Sequence, residues 1–169
     1  MSPIITMTDA EFPVDLQIEG GENPTSLVFL PHARREDGAP VFAQSTKSVQ
    51  KILQDGGVQA ALAPSQPTDK PAIYRDEHGL EWLGPIIWIS TAILAQNPAA
   101  VAISLNLISA YLYSIFTGRE SETTAKLTVV VEKTKGRSSK KIDYQGPVAG
   151  LAALAAAVEQ AIKEGESNK

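Results

Sequence analysis

The chain contains no cysteine. That removes a disulfide scaffold, a thiolate zinc site and a cysteine nucleophile. Histidine is nearly as scarce: His32 and His78 are the two copies in 169 residues, and each sits in a polar stretch. Aromatic residues make up 6% of the chain, so a core must be filled mainly by Ala, Val, Ile and Leu. The hydrophobic share of 43% suffices for one, and a chain of this length buries about two-thirds of its unfolded surface. The N-terminus, MSPIITMTDAEF, lacks a basic segment followed by an apolar one. No secretory signal is expected there, and a cytoplasmic location is the simplest expectation.

The largest absence is of charge. From Trp82 to Gly118, WLGPIIWISTAILAQNPAAVAISLNLISAYLYSIFTG, 37 residues pass without a charged side chain, although 20% of the whole chain is charged. The charges elsewhere are unevenly placed. Residues 1–81 hold 12 acids and 6 bases (−6), residues 119–141 hold 3 acids and 7 bases (+4), and residues 142–169 hold 4 acids and 2 bases (−2). The basic excess therefore follows directly on the uncharged stretch.

Before that stretch the chain is acidic and turn-rich. Val14, Leu16 and Ile18 alternate with polar residues, which predicts a half-buried strand over 12–18. Further strands are expected at 26–30, 40–43 and 58–63, with an extended segment at 72–75. Val49, Ile52 and Leu53 share a helical face, with Ser45 or Thr46 as its cap and Gly56-Gly57 as its stop. Residues 64–71, PSQPTDKP, hold three prolines in eight positions and read as a linker.

Within the uncharged stretch, Pro98 removes a backbone donor and disfavours helix just before it. Two helices are expected, at 80–96 and 98–117, with Asn97 capping the second. Leu127–Val131 and Lys141–Tyr144 then alternate as a hairpin around Lys135-Gly136-Arg137. A last helix opens at Gly146-Pro147, carries Val148, Leu151, Ala155, Val158 and Ile162 as its apolar stripe, and ends at Gly165. The fold class is therefore α+β: N-terminal short strands plus one helix, then two apolar helices, a β-hairpin and a C-terminal helix. Its parts are expected at 1–63 and 72–169, joined by the 64–71 linker.

Few residues carry recognisable chemistry. Gly20-Gly21 and Gly56-Gly57 lack the spacing of a phosphate loop. Asp76-Glu77-His78 reads as a solvated turn in preference to a metal ligand or acid/base pair, and His32-Ala33-Arg34-Arg35 as a charged loop in preference to an anion or phosphate site. No catalytic residue, metal ligand or cofactor site is expected. The basic hairpin residues Lys133, Lys135, Arg137, Lys140 and Lys141 suit an anionic partner, or lysines that block edge-to-edge strand pairing. They lack the interleaved aromatics of a nucleic-acid footprint, so nucleic acid is not expected.

The uncharged stretch supplies the contact candidates: Trp82, Trp88, Ile103, Leu107, Tyr111, Tyr113 and Phe116. A spanning helix needs about 20 apolar residues, which neither half reaches comfortably. Trp82 and Trp88 near one end and Tyr111 and Tyr113 near the other nevertheless resemble interfacial aromatics.

The order from Trp82 onward is an uncharged helical stretch, the hairpin LTVVVEKTKGRSSKKIDYQG and then PVAGLAALAAAVEQAI. It resembles the small effector-associated constant components of bacterial conflict systems. The resemblance implies a non-catalytic accessory that works beside an effector. A non-enzymatic accessory or adaptor acting through a protein partner or self-association, as a bacterial defence-system component or protease target, is thus the leading expectation. The alternative is a membrane-perturbing effector using residues 82–117, associated with the membrane on activation. A small enzyme comes third.

Overall fold

The structure, a computed structural model, describes residues 3–11, 26–63, 73–75, 81–118, 122–134 and 138–167. The strand expected at 12–18, the 64–71 linker, the turn holding His78, and Lys135 and Arg137 lie outside those residues. In chain order the elements are β1 (Ile4–Glu11), β2 (Leu27–Leu30), β3 (Ala33–Arg34), β4 (Pro40–Ala43), α1 (Ser45–Asp55), β5 (Ala60–Leu62) and β6 (Ile73–Arg75). There follow β7 (Glu81–Ile89), α2 (Thr91–Gln96), α3 (Ala100–Ile115), β8 (Thr124–Thr134), β9 (Ser138–Pro147) and α4 (Ala152–Ser167). The fold is α+β.

Six strands form one mixed sheet in the order β1-β9-β8-β7-β2-β5, and β3-β4-β6 form a second. Neighbours β7 and β8 run parallel. Parallel neighbours need a long crossover, and α2 with α3 provides it. Strands from both sides of residues 64–71 enter the same sheet, so the segments on either side of the expected linker share a core.

One face of the sheet carries Leu27, Phe29, Ile87, Ile89, Leu127, Val129, Ile142 and Tyr144 against helices α1, α3 and α4. The opposite face divides in two. Around β2, β7 and β8 it is apolar, with Val28, Leu30, Trp88 and Val130 buried together. Towards β9 it turns polar: Thr128 Oγ1 donates to Asp143 Oδ1 at 2.7 Å, and Lys141 lies 4.0 Å from Asp143.

The principal correction falls on residues 80–96. The first of the two expected helices is instead strand β7 followed by the short α2. Ile86, Ile87, Trp88 and Ile89 favour the pleated backbone, and Gly84-Pro85 is unsuited to a helix interior. A strand buried on both faces shows no polar alternation, so its apolar run passes equally for a buried helix. The second helix stands as α3.

The caps also differ from expectation. Gln44 holds the N-cap position of α1 without capping it through its side chain, and Ser45 Oγ donates to the carbonyl of Leu83 at 2.6 Å. Asn97 closes α2, while Ser90 opens it by accepting from the Ile93 amide at 3.1 Å. Beyond Pro147 comes a single 3-10 turn (Val148–Gly150) before α4. Tyr144 fixes that corner by donating to the Pro147 carbonyl at 2.6 Å. Gly150 leaves room for the phenol, since a Cβ there would stand 2.6 Å from its oxygen. Helix α4 passes through Gly165 to Ser167. A glycine there lowers helix propensity by about 1 kcal/mol without stopping the helix.

Candidate functional site

Helix α3 is apolar almost all round, and burial sorts its sides. Val101, Ser104, Leu105, Ile108 and Leu112 turn inward at helical spacing. Ser104 satisfies its hydroxyl by donating to the Ala100 carbonyl at 2.6 Å. The outward side carries Ala102, Ile103, Asn106, Ala110, Tyr113 and Ser114. Ile103, Tyr113 and Ile115 are exposed at 41%, 43% and 42%, high values for large apolar side chains. No residue of this helix is charged.

Beside α3 lies the start of α4, which is uncharged through Val158. Between them a groove of about 120 Å³ is lined by Asn106, Ser109 and Tyr113 on one wall and Ala149, Ala152 and Ala155 on the other. The small side chains of the second wall create the depth. Tyr113 spans the rim, its hydroxyl 3.5 Å from the Ala149 carbonyl to which it donates. The groove adjoins the outward face of α3, and none of the residues lining it is charged.

The expected contact residues are thus divided. Ile103 and Tyr113 are on that surface. Leu107, Tyr111 and Phe116 are half-buried and lean on the core. Trp82 and Trp88 are withdrawn from it, at 9% and 0% exposure, because β7 carries them into the two sides of the sheet. Their expected interfacial position is corrected by that strand.

The described lysines of the hairpin strands lie near carboxylates of their own fold. Lys133 lies 3.5 Å from Asp9 of β1, Lys126 3.3 Å from Glu81 of β7, and Lys141 beside Asp143. Lys140 stands opposite Asp9 in the β1–β9 register. Lysines and carboxylates of the same sheet offset each other, so these positions present less positive charge than their sequence count suggests.

A second concavity, of about 190 Å³, opens where β4 approaches β7 and β8, with His32 and Lys126 in its wall. Leu83 lies on the strand that replaces the expected first helix, and His32 opens the charged stretch 32–35. The groove's alanine wall was hidden, because alanine in a helix advertises propensity and not a site. Among the described residues no three His, Asp or Glu side chains converge in a metal-binding group, and no helix is long and apolar enough to cross a membrane. No family model, curated protein or solved structure matches the chain.

Proposed function

We propose that this protein is a non-catalytic accessory that binds a partner protein through the charge-free surface of α3 and the α3–α4 groove. The observation that carries the reading is the exposure of Ile103 and Tyr113 on one side of a helix without a charged residue. Water-facing helices normally put charged residues on that side. Large apolar side chains exposed on an uncharged face mark a place of association.

The chemistry of the surface selects its occupant. An ammonium or carboxylate docked here would lose its water and meet no opposite charge. An aliphatic helix face meets no such penalty. The partner is accordingly a helix with an uncharged face, whose central apolar side chain enters the groove while Asn106, Ser109 and the Tyr113 hydroxyl orient its polar edge. This fits the effector-accessory role implied by the resemblance from Trp82 onward.

A photo-crosslinking residue placed at position 103 or 113 of the full chain, in its native host, tests the reading. Position 163, exposed and charged in the native chain, is the control. Both surface positions should capture one common protein, through a peptide from an uncharged helix face, and position 163 should not. Equal capture at all three positions, capture of lipid alone, or a linked peptide dense in charge would refute the proposal.

A further inference from the structure

Strand β7 does not run straight. Its register against β8 shifts between Leu83 and Ile86, at Gly84-Pro85. Proline offers no N–H, so the ladder breaks there and nearby carbonyls need other donors. Two side chains from distant elements supply them: Ser45 Oγ donates to the Leu83 carbonyl at 2.6 Å, and His32 Nε2 to the Gly84 carbonyl at 3.2 Å. A carbonyl only accepts, which assigns a proton to Nε2 of His32.

The cavity of about 190 Å³ lies beside this bulge. Val41, Phe42, Ala43 and Leu83 give it an apolar wall, and Lys126 adds a charged group able to donate, while the Nε2 proton of His32 is already given to the Gly84 carbonyl. No carboxylate is among the described residues that line it. Lys126 is held from outside by Glu81 at 3.3 Å, a pair whose side chains are 40% and 47% exposed. Exposed pairs of this kind exchange partners at little cost.

We propose that this cavity binds a small organic acid. The carboxylate replaces Glu81 at Lys126, while the apolar body lies against Phe42, Val41 and Leu83. An apolar wall with a few convergent polar groups is the usual composition of a small-molecule site, and this one is smaller than the roughly 300–1,000 Å³ that drug-sized ligands occupy. Its volume equals about six waters at roughly 30 Å³ each, the size of one ring or a short chain. The apolar wall favours such an acid over a bare inorganic anion, which has nothing to set against Phe42. This site is separate from the α3 surface, and its test is independent of the partner reading.

The experiment is an amide NMR titration of the full chain with benzoate, with neutral benzamide and with inorganic phosphate. Benzoate should give saturable shifts at His32, Ala33, Val41, Phe42, Ala43 and Leu83, and bind more tightly than either control. Lys126→Met should weaken it about tenfold or more, as expected for a lost charge-assisted hydrogen bond. Lys126→Arg should retain binding, and Glu81→Gln should tighten it by releasing Lys126. Absent or unsaturable shifts, benzamide or phosphate binding as tightly as benzoate, or weakening by Glu81→Gln would overturn the proposal. The ligand comparison on the unsubstituted chain decides the matter even if Lys126→Met fails to fold.

Discussion

Gly84→Ala distinguishes a strand from a helix at the start of the uncharged stretch by the sign of its effect. A Cβ at position 84 would stand 2.6 Å from Cζ3 and 2.8 Å from Cη2 of Trp82, and 2.8 Å from Cδ1 of Leu127. Carbon atoms in contact prefer about 3.5–4.0 Å. Neither neighbour retreats easily, for Trp82 is 9% exposed and Leu127 2% exposed. Forcing a methyl group into such packing costs about 1–3 kcal/mol. For a protein of this size each kcal/mol lowers the melting temperature by about 2–4 °C, so a fall of roughly 2–12 °C is expected. Urea unfolding followed by tryptophan fluorescence should show the midpoint shift to lower denaturant. In a helix over 80–96 the same change would stabilise by about 0.8–1.0 kcal/mol, alanine being the better helix former. A midpoint that rises, or does not move, would refute the packing of β7 against β8 described above.

Three further outcomes follow from buried polar groups and from α3. Glu132, 2% exposed, accepts from the amide of Thr91 at 2.8 Å and from its hydroxyl at 2.9 Å, at the first turn of α2. Glu132→Ala should therefore lower unfolding free energy by about 1.5–3 kcal/mol, measured by urea titration, as for a lost hydrogen bond to a charged group. Burial, with a smaller contribution from the charge of Tyr113, raises the Tyr144 phenol above its usual 10.0. The folded state then keeps a proton that the unfolded chain releases, so this stability is complete below about pH 10 and is lost as pH rises through the folded value. Unfolding measured between neutral and strongly alkaline pH should show that decline, less steeply in Tyr144→Phe. Leu112→Ala, at a fully buried position of α3, should cost about 2–5 kcal/mol, whereas Ile103→Ala on the same helix should stay within about 0.5 kcal/mol of the parent by the same denaturation.

Much of the fold is legible in the residues. Helix α1 follows from Val49, Ile52 and Leu53 on one face and the glycine pair after it, and Gly57 indeed takes positive φ, at 87°. Strands β8 and β9 follow from alternation, because one face meets the helices and the other is polar towards β9. Strand β7 was hidden for the opposite reason. Ile87 and Ile89 enter one cluster while Ile86 and Trp88 enter the other, so both faces are apolar and the period of two disappears. Its parallel partner lies some forty positions onward, where no local pattern can point.

The site was legible to the same partial degree. Ile103 and Tyr113 could be singled out by their chemistry, but an apolar helix without polar alternation does not reveal which side faces water. Position decides it: Ile108 packs under the sheet at 1% exposure, and Ile103, five residues earlier, does not. The cavity beside Gly84-Pro85 draws on β3, β4, β7 and β8 and exists only once those strands are assembled.

Ile103→Asp, assayed for stability and for capture by a crosslinker at position 113, tests the charge-free surface most directly. The folded chain should unfold within about 0.5 kcal/mol of the parent, as for an exposed substitution, while the captured partner disappears, because a new carboxylate on that face would have to be desolvated without a counter-charge. Loss of several kcal/mol would show the face to be covered by its own fold, and undiminished capture would show that the partner binds elsewhere. Either result would contradict the account.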